Sequence, residues 1–145
     1  MIVPDVNLLL YAYDEAFPKH AAAREWWEKA MNGSEPIGLA PVVVLAFVRL
    51  VTHPSVAANP RSVGETRQIV ESWLDAPHVR VLPTSSSLMA RFFDLLDAVG
   101  MGGNLSTDAL IAAHALNADA KVYSNDSDFS RFPGLDFRNP LVAKR

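Results

Sequence analysis

The sequence lacks cysteine altogether, and it has no apolar run close to the length of a membrane span. The missing cysteines exclude disulfide bonds, thiolate zinc sites and cysteine nucleophiles. A helix that crosses a bilayer needs about 20 consecutive, mostly apolar residues, so a membrane partner is not expected. The first residues also lack the basic and apolar stretches of a secretion signal, and we therefore expect a cytoplasmic protein.

An excess of positive charge is lacking as well, because the formal net charge is −3. Proteins that bind nucleic acid through their whole surface are usually basic. Mild negative charge is typical of an ordinary soluble protein. Any contact with nucleic acid would therefore have to depend on a local patch or on metal ions.

Half of the 145 residues are hydrophobic, which is enough to form a sizeable core. This length fits one domain, residues 1–145. Short segments such as Lys121 to Ser124 resemble strands, and they alternate with stretches of helical spacing such as Ser85 to Val99. This alternation predicts an α/β fold with a central parallel β-sheet flanked by helices.

The spacing of apolar residues also predicts individual helices. In the segment from Pro41 to Val51, the valines leave a strand possible, but the spacing of Leu45, Val48 and Val51 favours a helix. For the segment from Ser62 to Asp75, the apolar residues assigned to the helix are Val63, Ile69, Val70, Trp73 and Leu74.

Three acids stand where a parallel sheet would bring them together. Asp5 and Asp126 each follow a predicted strand, and Asp108 begins a buried helix. Ligands of such sheets bind at the carboxyl ends of the strands, so we expect the three acids at one edge. Carboxylates held close together raise one another's pKa unless a cation joins them. Mg²⁺ or Mn²⁺ prefers oxygen ligands and keeps several waters, so a few carboxylates suffice to bind it.

Each acid also has a structural interpretation when it is taken alone. Asp5 fits a turn after a strand, and Asp108 fits the first turn of a helix. Asp126 and Asp128 belong to a stretch with ordinary loop composition. Only their shared position in an α/β topology favours a joint function. The histidines do not have a metal-binding spacing and are interpreted as structural or surface residues: His20, His53, His78 and His114.

Several motifs, taken together, resemble the PIN-domain toxins of the VapBC toxin–antitoxin families over nearly the whole chain. They are Pro-Asp-Val-Asn-Leu-Leu at residues 4–9, Ala-Phe-Val-Arg at 46–49, Gly-Asn-Leu-Ser-Thr-Asp-Ala at 103–109 and Ser-Asn-Asp-Ser-Asp-Phe at 124–129. The resemblance implies a PIN fold and an Mg²⁺- or Mn²⁺-dependent endoribonuclease that cleaves structured RNA such as tRNA or rRNA. It also implies a homodimer and a cognate antitoxin whose tail covers the active site.

Motif matching assigns roles to individual residues. The acids that match catalytic positions are Asp5, Asp108, Asp126 and Asp128, and the first three of these match the metal-binding positions. Asn7 matches a polar position near the first acid, and Ser124 matches a hydroxyl position near the metal. Both are candidates for contact with the substrate. Arg49 either holds a phosphate or pairs with a surface acid.

One position departs from the family pattern, because Ala46 stands where the motif usually has glutamate. Alanine has no oxygen to bind a metal or to orient water, so we expect impaired catalysis. The sequence either carries a substitution that inactivates a harmful enzyme, which the intact remaining motifs favour, or it has lost the acid naturally. A non-catalytic PIN-like module that binds an antitoxin or RNA is the main alternative. An aspartyl-phosphate phosphatase built on Asp5 would need a second acid where Asn7 stands.

Overall fold

Five short parallel strands form the central sheet of the computed structural model, which describes residues 1–142. The strand order is β3-β2-β1-β4-β5, with β1 in the middle. The strands are β1 (Ile2–Pro4), β2 (Ile37–Leu39), β3 (Val79–Val81), β4 (Lys121–Tyr123) and β5 (Phe137–Arg138). The predicted parallel α/β fold is confirmed. The predicted domain of residues 1–145 extends three residues beyond those described.

Helices connect the strands, and several begin or end at a residue suited to that position. Pro41 occupies the first turn of its helix, where its missing N–H is not needed. Ser62 and Glu65 form a reciprocal capping box, and Gly100 ends its helix with a φ of 79°. The helices are α1 (Val6–Tyr13), α2 (His20–Asn32), α3 (Pro41–Thr52), α4 (Val63–Leu74), α5 (Ser86–Val99) and α6 (Ser106–Asn117). Two short 3₁₀ helices span Gly103–Leu105 and Ser127–Arg131.

Within the part of the chain that the structure describes, none of these helices combines the length and the apolar character that a membrane span requires.

The central strands bring two distant parts of the chain side by side. Val3 pairs with Val122, and Pro4 pairs with Tyr123 in the parallel register of β1 and β4. The N–H of Asp5 then donates to the carbonyl oxygen of Tyr123 at 2.9 Å. Because this bond continues the pairing beyond both strands, the residues that follow β1 and β4 lie next to each other.

The inner face of α3 does not include every residue whose spacing predicted the helix. The buried residues are Val43, Phe47 and Val51, whereas Leu45 is 67% exposed. Residues four apart lie on one side of a helix, and a residue two positions away lies on nearly the opposite side. The predicted helix is therefore confirmed, and Leu45 lies on its outer side.

The residues predicted for the inner face of α4 are only partly confirmed. Trp73 is buried as predicted, and it packs among the rings of Phe47, Tyr13 and Trp27. Val63 and Leu74, however, are exposed because they are the first and last residues of the helix. The aromatic cluster explains why Trp27 and Trp73 belong to the core.

Candidate metal centre

Asp5 forms the buried side of the site. It follows β1 and is only 5% exposed. One carboxylate oxygen, Oδ1, accepts the N–H of Val6 at 2.7 Å and so caps α1. The other, Oδ2, accepts the hydroxyl of Ser124 at 2.7 Å. Burial raises the pKa of Asp5 above its ordinary value, and these two hydrogen bonds oppose that rise.

Ser124 links Asp5 to the loop that carries the other acids. Its hydroxyl oxygen is buried and accepts the side-chain amide of Asn7 at 3.1 Å and the N–H of Asp126 at 2.9 Å. The Oδ1 atom of Asn7 in turn accepts the N–H of Asn125 at 3.3 Å. These bonds fix the loop after β4 against the start of α1, and they hold the carboxylate of Asp5 in one orientation.

Three further acids form the open side of the site. One carboxylate oxygen from each of Asp108, Asp126 and Asp128 lies within 4.8 Å of the other two, and all three residues are half-buried. Asp108 stands in the first turn of α6, while Asp126 accepts the N–H of Asp128 at 2.9 Å and caps a 3₁₀ helix. The structure thus brings together three acids from two segments about 20 residues apart.

The four acids interact electrostatically. The pKa of Asp108 is raised to about 7, first by burial and then by the negative charges of Asp5, Asp126 and Asp128. Asp5 therefore contributes to the field at the open side although it is not one of the three most closely spaced acids. Such a site disfavours four negative charges unless a cation is present.

The donor set fits a hard divalent cation. All the ligand atoms in the open group are carboxylate oxygens, which suit Mg²⁺ and Mn²⁺ better than softer metals. No group with three or more potential ligands that includes a histidine is found within residues 1–142. The histidines instead have structural or surface positions: His20 and His78 bond to backbone carbonyls, His114 is buried, and His53 is exposed.

The remaining predicted residues lie on α3. This helix packs against α1, which follows Asp5, and against α6, which carries Asp108. Ala46 is half-buried and precedes the buried Phe47. Arg49 is exposed and forms no ion pair with any acid of residues 1–142. The surface pairing considered for Arg49 is therefore not observed.

Sequence reasoning missed one pair of residues next to the acids. The ammonium group of Lys19 donates to the side-chain oxygen of Asn125 at 2.8 Å. Asn125 directly precedes Asp126 in a motif that was recognised, so its position offered a signal. Lys19 offered none, since it lies 106 positions away in the sequence.

The sequence matches known proteins over most of its length. Residues 2–135 match the family model described as PIN domain. Ribonuclease VapC33 of Mycobacterium tuberculosis is 38% identical over 141 residues, which covers 97% of this chain and 99% of that protein.

Solved structures with lower sequence identity share the fold. VapC20 of Mycobacterium tuberculosis, described as a sarcin-ricin loop cleaving toxin, superposes with a TM-score of 0.68 at 15% identity, covering 90% of this chain and 93% of its own. A chain of a toxin–antitoxin complex from Klebsiella pneumoniae superposes with a TM-score of 0.67 at 15% identity. The match covers 97% of this chain and 98% of that chain.

Proposed function

The chain belongs to the PIN-domain family, and from this premise we propose that it is a metal-dependent endoribonuclease toxin of a type II toxin–antitoxin system. The observation that carries the metal dependence is the group of carboxylate oxygens from Asp108, Asp126 and Asp128 within 4.8 Å of one another. The relative at 38% identity, which is named a ribonuclease, supports the activity.

In this proposal, Asp5, Asp108 and Asp126 would hold Mg²⁺ or Mn²⁺, and Asp128 would be a further catalytic acid. A divalent cation in such a site neutralises charge on a phosphate and lowers the pKa of water. Ser124 and Asn7 orient Asp5 through their hydrogen bonds. Fixing a carboxylate in this way keeps the geometry ready for the transition state.

The proposed substrate is structured RNA, such as tRNA or rRNA. VapC20, which shares the fold, is described as cleaving the sarcin-ricin loop. Because the net charge is −3, contacts with RNA phosphates must be local. Arg49 is exposed and unpaired with acids of the described residues, which leaves its guanidinium available for a phosphate. Contacts of Asn7 and Ser124 with the substrate remain predictions.

The proposed assembly is a homodimer that binds a cognate antitoxin protein in the cytoplasm. A structural neighbour comes from a toxin–antitoxin complex, which supports the antitoxin partner. In this proposal, residues 1–145 form a single PIN domain. The cytoplasm follows from the function, because both tRNA and ribosomes are found there.

Ala46 favours a second candidate function. Without the glutamate that usually occupies this position, the chain would act as a PIN-like module that binds an antitoxin or RNA without cleaving it. Because the other acids are in place, we propose that the nuclease site is present but impaired. Ala46 lies on α3, the helix that packs against both α1 and α6.

The test compares cleavage of total RNA by the unsubstituted chain, Ala46→Glu and Ala46→Gln, each with Mn²⁺ and with EDTA. Ala46→Glu is expected to cleave at least about 10-fold faster than the other two, and only with Mn²⁺. Ala46→Gln has nearly the same size without the charge, so it controls for packing. Equal background rates for the three folded proteins would support the non-catalytic module, and mapping the cleaved ends would identify the RNA.

A further inference from the structure

A lysine is held beside the acid cluster by a contact that no sequence motif predicts. The ammonium nitrogen of Lys19 lies 2.8 Å from Oδ1 of Asn125, which is the residue before Asp126. Lys19 is at the start of α2, whereas Asn125 follows β4. The bond therefore places a positive charge at the rim of a site whose own side chains are acidic.

Asn125 is itself fixed by several contacts. Its Oδ1 atom also accepts the side-chain amide of Asn139 at 3.2 Å, and its backbone N–H donates to Asn7 at 3.3 Å. The acceptor that holds Lys19 is thus anchored to the start of α1 and to the segment after β5. An ammonium group bound to such an acceptor loses little additional freedom when it binds a ligand.

The ammonium group retains donors for a ligand. It has three N–H groups, of which the bond to Asn125 uses one. Lys19 is exposed and forms no ion pair within the described part of the chain. Phosphate is the anion that an RNA would present to this ammonium group.

A positive charge beside the acid cluster would help to bind RNA, because the cluster itself is negatively charged. The carboxylates of Asp108, Asp126 and Asp128 lie close together, and together with Asp5 they repel an approaching phosphodiester. A metal ion offsets this repulsion at the scissile phosphate but not at its neighbours along the strand. A fixed ammonium at the rim attracts a neighbouring phosphate and sets the register of the chain.

We propose that Lys19, held by Asn125, binds a backbone phosphate of the RNA next to the one at the acid cluster. This inference rests on the proposed ribonuclease function and adds to it a substrate-binding residue and its anchor.

The experiment measures the affinity of the unsubstituted chain and its variants for a fluorescein-labelled RNA hairpin by anisotropy, at several salt concentrations and a constant concentration of Mn²⁺. Lys19→Gln is expected to weaken binding about 2- to 10-fold and to lower the slope of log affinity against log salt by about 0.7–0.9. Lys29→Gln removes the same charge from an exposed residue in the last turn of α2 and is the matched control. Lys19→Arg is expected to retain the slope.

The variant Asn125→Ala distinguishes the charge of Lys19 from the position in which Asn125 holds its ammonium group. It removes the acceptor of Lys19 but keeps the backbone N–H that bonds to Asn7. Because the lysine remains, the slope of log affinity against log salt should change little. When Asn125→Ala is added to the Ala46→Glu form, the KM for RNA cleavage should rise more than kcat falls. A merely structural role of Lys19 would leave the salt slope unchanged in every variant.

The outcomes distinguish this inference from the proposed function. If Lys19→Gln and Lys29→Gln had equal affinities and equal salt slopes, the role of Lys19 would be wrong. RNA cleavage by the Ala46→Glu form would in that case still support the proposed nuclease function. If the unsubstituted chain did not bind the hairpin even at low salt, both the phosphate contact and the RNA substrate would be wrong.

Discussion

The site has a buried half and an open half, which differ in the hydrogen bonds that their carboxylate oxygens accept. The buried half consists of Asp5, Ser124 and Asn7, and the open half consists of Asp108, Asp126 and Asp128. Both oxygens of Asp5 accept hydrogen bonds from the protein. In the open half, the one hydrogen bond to a carboxylate within residues 1–142 joins the N–H of Asp128 to Asp126. The protein thus fixes both carboxylate oxygens of the first acid, whereas most carboxylate oxygens of the open acids accept no hydrogen bond from the described residues and are available to the proposed cation.

The largest expected effect comes from the open half. In the Ala46→Glu background, Asp126→Asn should lower Mn²⁺-dependent RNA cleavage by about 100-fold or more, because a ligand oxygen loses its charge. The same variant should bind Mn²⁺ more weakly in calorimetry. Asp97→Asn on the exposed side of α5 is the control for a lost carboxylate. Cleavage rates that were the same for both variants would remove Asp126 from the site.

A smaller effect on catalysis is expected in the buried half, together with a loss of stability. Ser124→Ala removes the hydroxyl that donates to Asp5 and accepts from Asn7 and Asp126, leaving polar groups unpaired. We expect the free energy of unfolding in urea to fall by about 1–3 kcal/mol and cleavage by the Ala46→Glu form to fall about 10- to 100-fold.

Ser72→Ala is the control for Ser124→Ala, because the Ser72 hydroxyl is exposed and bonds only within its own helix. If the two serine variants were equally stable and equally active, the buried half would have no orienting role.

The smallest effect concerns stability of the metal-free protein. The pKa of Asp108 is about 7 in the folded protein against an ordinary value of 3.8, so the folded state keeps a proton that the unfolded state loses. Stability therefore falls as the pH rises from about 4 to about 7, and it does not recover above that. Asp108→Asn should remove this loss and raise the Tm at pH 8 by roughly 2–8 °C, as about 1–2 kcal/mol does in a domain of this size.

The pH dependence provides the check on Asp108. Thermal unfolding in EDTA should show a small Tm difference between Asp108→Asn and the unsubstituted chain near pH 4 and the full difference at pH 8. Mn²⁺ should reverse the order at pH 8, because it stabilises only a protein that binds it. A Tm difference that did not vary with pH would contradict the raised pKa of Asp108.

Much of the fold follows from local patterns. The order of strands and helices was predictable because each element has its own spacing and its own end signals, such as Pro41 and Gly100. The inner face of α3 was not predictable in the same way. Its sequence is apolar on nearly every side, so the spacing of Leu45 and that of Phe47 indicate a helix equally well. Only packing against α1, α4 and α6 selects the face with Phe47.

The sequence by itself determined which residues stand at the carboxyl ends of β1 and β4 and at the start of α6, because strand ends and helix starts are local properties. The tertiary structure alone decided which acids share the tightest group and that a lysine from the start of α2 reaches the loop after β4. Side-chain directions at these points are set by hydrogen bonds between residues more than 100 positions apart, such as Ser124 with Asp5 and Lys19 with Asn125. No local pattern encodes such contacts.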